Sequence, residues 1–230
     1  MAAEENQLIA TLPRADRRHL IDACEPFELQ LSEVLCERGE PTRHAYFPTE
    51  GFVSLVTTID NHPGLEVGMV GREGMVGAQL ALGVMLTPLR ALVQGPGTAR
   101  RIGAGALREE IDRSAPLQRA LNRYLYVLMA QLAASAACLR FHLIGPRLAR
   151  WLLMSQDRAH TERFRVTHEF LAYMLGVRRV GVTMAAGALQ DSGLIHYHRG
   201  EVTVLDRPGL EAAACDCYAA DQKAYADMMR

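Results

Sequence analysis

From Pro116 to about Phe141 the chain runs without a helix breaker, and this stretch constrains what the rest can become. Proline in a first helical turn forfeits no needed hydrogen bond, so Pro116 marks a start. Leu121, Leu125, Leu128, Leu132, Ser135 and Leu139 follow at intervals of 4, 3, 4, 3 and 4. That is an a/d seam of about three heptads. Ala133, Ala134, Ala136 and Ala137 keep the neighbouring positions small. A helix this long between two differently textured halves predicts a parallel homodimer zipped along Leu121, Leu125, Leu128, Leu132 and Leu139. The alternative is a helix packed against its own domain. The uncharged run Tyr124–Leu139 is 16 residues, shorter than the ~20 a spanning helix needs, so no membrane span is expected.

The half before this helix is punctuated by Gly39, Pro41, Pro48, Gly51, Pro63, Gly64, Gly68, Gly71, Gly74 and Gly77. Between them lie β-type runs such as residues 52–58 and 91–94. Short strands spaced by turn residues predict a small antiparallel barrel or roll. Residues 7–25 read as one short helix and 105–113 as another. The start, Met1 to Gln7, is acidic and polar and is not expected to be a signal peptide.

The half after the helix is basic. Residues 140–207 hold ten arginines against six acids, while the flanking segments are acidic and the whole chain carries −1. With Lys223 the only lysine, the positive charge is almost all guanidinium, which suits bidentate phosphate and guanine contacts. Gly145-Pro146 starts a helix that runs to about Arg158, with Leu148, Trp151 and Leu152 on its apolar side.

Residues 166–195 carry the sharpest signal. Thr167 is a good N-cap with Glu169 in the first turn. Leu171, Met174 and Leu175 form an inward face, Gly176 is a natural left-handed terminus, and Val182, Ala186 and Leu189 give a second buried stripe. Small Ala172, Gly176 four residues on, and Val182 six further match two helices crossing at a short turn. Such a motif presents the amino end of its second helix to base edges. Arg178 and Arg179 occupy that end, with Thr183 on a nearby face. Residues 196–205 then read as strand, turn, strand, with Arg199-Gly200 at the bend. Arg199 at such a tip would meet phosphate.

In HEFLAYMLGVRRVGVT, the following LQDSGLI and the wing HYHRGEVTVLDR the sequence resembles the Crp/Fnr family of transcriptional regulators. The resemblance covers nearly the whole chain. It implies an α+β fold: an N-terminal antiparallel β-roll (cupin-like or cyclic-nucleotide-binding-like) over 1–114, a dimerisation helix over 115–141, and a winged helix-turn-helix over 142–230. It implies a cytoplasmic homodimer on a palindromic operator, half-sites one helical turn (~34–36 Å) apart, with RNA polymerase as partner. DNA contacts would come from Thr167, Arg178, Arg179, Thr183 and Arg199. Arg179 falls where the family commonly has its base-reading arginine. Val180 stands where cyclic-AMP responders often have Glu, and Met184 replaces a further arginine, so the operator need not be theirs.

The effector pocket departs further. Glu73, in Gly71 to Gly74, stands near the family's ribose partner, and Arg90-Ala91 where an Arg-Ser pair would hold a cyclic phosphate. Ala91 lacks the hydroxyl, and a hydrogen bond to a charged group contributes ~1.5–3 kcal/mol. Cyclic AMP is therefore not expected; an apolar ligand, a partner protein or no ligand stay open. Cys24 and Cys36 are twelve apart, with no further cysteine before Cys138, which fits no iron–sulfur run, and no motif points to haem. Cys215-x-Cys217 with His196 and His198 lacks the usual zinc spacing. No metal and no cofactor are expected.

No nucleophile elbow, P-loop or zincin pair occurs, since His168-Glu169 lacks its second histidine. An enzyme is not expected. An enzyme on a cupin-like roll would need a metal cluster within 27–102, where His44 and His62 are the histidines. The other reading is a small-molecule sensor module acting through protein partners.

Overall fold

The glycine and proline spacing does cut the first half into short strands. The computed structural model describes residues 5–59 and 64–229; His62 and the first four residues of the acidic start lie outside them. Helix α1 (Gln7–Ala10) and helix α2 (Arg14–Asp22) precede β1 (Glu25–Leu29), β2 (Val34–Cys36), β3 (His44–Pro48), β4 (Phe52–Thr57), β5 (Leu65–Val70), β6 (Arg90–Gly95) and β7 (Gly97–Gly103). The single helix expected over 7–25 is two. Pro13 has no N–H to donate and sits as the N-cap of α2, so the chain turns there.

The strands form two antiparallel sheets, ordered β1-β7-β3 and β2-β6-β4-β5. Leu29, Tyr46 and Ala99 from the first meet Val53, Val70, Ala91 and Val93 from the second in one buried cluster. This is the expected roll, with alternate side chains of each strand pointing into it.

Helix α3 (Ala104–Arg113) leads into α4 (Ala115–Phe141), whose first turn holds Pro116 and whose N-cap Ser114 accepts from the Leu117 N–H at 3.1 Å. The amino half of α4 belongs to the chain's own core. Leu117, Ala120, Leu121, Tyr124 and Val127 pack with Leu8, Phe47, Ile102 and Leu107. The expected seam therefore splits. Leu121 is 1% exposed and committed to its own chain, and Leu125 and Leu128 lean on the same cluster. Leu132 is 38% exposed, and Leu139 is half-buried. The outward face instead presents Tyr126 and Met129 as well as Leu132, and beyond them Phe141 and Leu143. The heptad spacing is real, but the roll occupies one flank of the stripe and rotates the free face by about one residue. By length and composition alone α4 could cross a membrane; in the fold it packs against α3 and β5.

The carboxyl half continues with α5 (Ile144–Ala159), β8 (Arg163–Arg165), α6 (His168–Leu175), α7 (Arg179–Asp191), β9 (Ile195–His198), β10 (Glu201–Val204), α8 (Arg207–Ala213) and α9 (Cys217–Met228). Strands β8-β10-β9 make a small antiparallel sheet. Its core joins Leu148, Trp151, Leu171, Val182, Leu189 and Val202 to Phe52, Val56 and Met69 of the roll. Helix α9, unforeseen in the sequence, lies along α4. It reaches the roll through Tyr225, whose hydroxyl donates to the Glu73 carbonyl at 2.8 Å.

Candidate nucleic-acid interface

Local chemistry builds the helix-turn-helix as its spacing predicts. Thr167 caps α6, accepting from the Phe170 N–H at 3.1 Å. Leu171, Met174 and Leu175 are buried below it. Gly176 terminates the helix at φ 63°, and a Cβ there would lie 2.7 Å from Leu65 Cδ1. The left-handed backbone favours glycine there. Buried Arg147 donates to the Leu175 carbonyl at the end of α6. Val182, Ala186 and Leu189 hold α7 against the core, and Ala172 lies buried beneath the crossing.

That packing leaves Arg178 (the N-cap), Arg179, Val180, Thr183 and Met184 exposed. Neither Arg178 nor Arg179 makes an ion pair among the described residues. Val180 is 63% and Met184 72% exposed. At such a face, two apolar side chains offer contact to a thymine methyl rather than hydrogen bonds to guanine.

Thr183 plays a second part. Its hydroxyl donates to the Arg179 carbonyl at 3.1 Å and lies 3.0 Å from His168 Nδ1, so the histidine is the donor there. The His168 ring stacks on Tyr197 of β9 with centroids 4.3 Å apart. Burial, and after it the neighbouring Arg179, holds His168 below the usual histidine range. A neutral ring fits this donor role. Tyr197 in turn donates its hydroxyl to the Val166 carbonyl at 2.7 Å and its N–H to Gln190 Oε1 at 2.8 Å. His168, Thr183, Tyr197 and Gln190 thus bolt the wing to both helices. Nothing near His168 in sequence announces this role, because its partners are 15 and 29 residues away.

The wing is a two-residue hairpin. Arg199 (φ 48°) and Gly200 (φ 78°) both sit in the left-handed region, as a type I′ turn requires. Arg199 is exposed at the tip. Arg163 and Arg165 on β8 are exposed too, with Phe164 between them turned inward. That alternation was the signal that could have identified them. Not every arginine here faces outward. Arg207 is held by Gln156, Asp157, Glu211 and Tyr218, Arg150 by Asp221 at 2.5 Å, and Arg158 by Glu73 at 2.8 Å. The basic excess of 140–207 is thereby divided between internal contacts and the face bearing α7 and the wing.

Glu73, Arg90 and Ala91, the residues aligned with an effector pocket, each have partners within the chain. Glu73 pairs with Arg158 of α5 and accepts from the Gly71 N–H at 3.1 Å. Its side chain lines a cleft of about 320 Å³ between roll, α5 and α9, with Arg72, Asp157, His160 and Asp221, and without Arg90 or Ala91. Arg90 lies 3.3 Å from Glu37, and Ala91 is buried inside the roll. Nor do His196 and His198 join Cys215 and Cys217. The two histidine rings stack on each other at 6.3 Å, and the cysteines gather with Cys138 and His142.

Residues 146–213 match the Crp-like helix-turn-helix domain. No curated protein sequence matches the chain. Solved structures do. The c-di-GMP-responsive global regulator CLP of Xanthomonas campestris superposes with a TM-score of 0.68 at 18% identity, over 84% of this chain and 99% of its own. A transcriptional regulator of the CRP/FNR family from Thermus thermophilus gives 0.68 at 22%, over 83% and 98%. FixK2 from Bradyrhizobium japonicum gives 0.67 at 13%, over 84% and 98%. This chain therefore carries a Crp-like helix-turn-helix domain within the fold of the Crp/Fnr transcriptional regulators.

Proposed function

We propose that the protein is a cytoplasmic, homodimeric transcription regulator that reads a palindromic operator and acts on RNA polymerase, not an enzyme. The observation that carries this is the Arg178–Arg179 couple at the amino end of α7, exposed and without an ion pair among the described residues, beside a wing tipped by Arg199. Arg179 reads a base edge, Arg178 and Arg199 neutralise phosphates, and Thr167 and Thr183 act mainly by holding the motif's shape. The dimer forms through the outward face of α4, where Tyr126, Met129 and Leu132 are exposed. Its effector is not cyclic AMP, because Arg90 is beside Glu37, Ala91 offers no donor and Glu73 is engaged by Arg158.

The test is a fluorescence-anisotropy titration against duplexes from the upstream region of the protein's own operon. Specific binding that weakens steeply with salt is expected. The absence of salt-sensitive duplex binding overturns the proposal. Sedimentation of Met129→Glu, expected to run as a monomer where the parent runs as a dimer, tests the α4 face.

A further inference from the structure

Cys138, His142, Cys215 and Cys217 come from two distant parts of the chain. Cys138 lies in the last turn of α4 and His142 is that helix's C-cap. Cys215 sits between α8 and α9, and Cys217 begins α9. One ligand atom from each, three Sγ and an imidazole nitrogen, lies within 4.8 Å of every other. Two of the six edges are 3.6 Å: Cys138 Sγ to Cys215 Sγ, and Cys217 Sγ to His142 Nδ1. A tetrahedron with ~2.3 Å metal–sulfur and ~2.0–2.1 Å metal–nitrogen bonds has edges of about 3.6–3.8 Å. Those two edges already fit, and the others need contract by no more than about 1 Å.

We infer that these four side chains form a Cys₃His site for a tetrahedral zinc ion, pinning the carboxyl end of α4 to the start of α9. The donor set is soft thiolate with one imidazole, which selects zinc over calcium, magnesium or manganese. Four protein ligands leave no open position, so the site is structural rather than catalytic. Three thiolates and one zinc carry a net −1. Arg147 and Arg150 stand close enough to act electrostatically on Cys138 and offset that charge. Binding converts three thiols to thiolates and releases their protons to solvent. The C-x-C spacing, atypical for a zinc knuckle, is no obstacle here, since the second pair of ligands comes from the i, i+4 positions Cys138 and His142. The ion would brace the link from α4 to the DNA-reading unit, because α4 ends where α5 and the winged helix begin.

The experiment is elemental analysis of the full-length protein purified reduced, followed by cobalt(II) titration of the apo form. One zinc per chain and a tetrahedral cobalt–thiolate spectrum, displaced by zinc, are expected. Cys217→Ser and His142→Ala, both half-buried positions, should each lower zinc affinity at least as much as the ~10–100-fold that loss of a supporting group costs. Cys24→Ser/Cys36→Ser should keep full loading. Reduced, folded parent protein that takes up neither ion overturns the inference, whether or not Cys138 and Cys215 oxidise to a disulfide in air. So does iron with labile sulfide in place of zinc, or metal that follows Cys24 and Cys36.

Discussion

The effector-aligned residues and the DNA-reading face treat their charged groups in opposite ways. In the roll, the groups aligned with an effector site are committed within the chain: Glu73 to Arg158, Arg90 beside Glu37, Ala91 in the core. In the winged helix, Arg178, Arg179 and Arg199 are held out by a rigid scaffold and left without ion-pair partners among the described residues. An arginine in a motif is a ligand group only when its own protein leaves it unsatisfied. The same residue type fastens α5 to the roll at one place and, on our proposal, waits for an external anion at the other.

The largest effect should come from breaking the committed half. Glu73→Ala leaves Arg158, whose side chain is 11% exposed, without its carboxylate. A loss of about 3 kcal/mol in thermal or denaturant unfolding is expected, as for a buried pair deprived of one partner. A neutral result would mean that Glu73 is spare and could serve a ligand after all. In the free half, stability should barely move while DNA binding does. Arg179→Ala should cost about 1–3 kcal/mol of discrimination between operator and mismatched duplex. Arg199→Ala should weaken all duplexes alike and lower the salt slope by about 1. Anisotropy titrations on both variants decide this, and identical responses would erase the division between base reading and phosphate contact.

The last effect concerns the seam between the halves and is read as a pH slope. Glu66 of β5 accepts a hydrogen bond from Ser54. Burial pushes its carboxyl up from 4.5 to about 7. The native state therefore holds this proton more tightly than the unfolded chain. Its contribution is full below the unfolded pKa and is lost as the pH rises from 4.5 through about 7. The melting temperature should fall over that window, and Glu66→Gln should flatten the fall. Parallel pH profiles for parent and variant would show that the junction is insensitive to Glu66 ionisation.

Local features were legible because their causes are local. The Thr167 cap, the Gly176 turn, the buried stripe Val182–Ala186–Leu189 and the Arg199–Gly200 bend depend on neighbours a few residues away. The break at Pro13 and the helix α9 were missed. The first turns on which of two short helices a proline joins, and the second is stabilised by α4 and α5 rather than by its own pattern. His168 was read only as half of an absent zincin pair, since nothing near it in sequence announces Thr183 or Tyr197.

By itself the sequence determined the succession of strand-rich half, long helix and helix-turn-helix with wing, the crossing of α6 and α7, and the outward placement of the guanidinium pair. These follow from hydrogen-bond capping, backbone sterics and the 3.6-residue period, which act within a turn or two. The tertiary structure alone decided which flank of the α4 stripe is covered and whether an ion pair claims Glu73. It alone brought Cys138 to within 3.6 Å of Cys215, 77 residues further on. Those outcomes depend on how whole elements dock. A heptad or a C-x-C pair is compatible with several dockings, and only the packed core selects one.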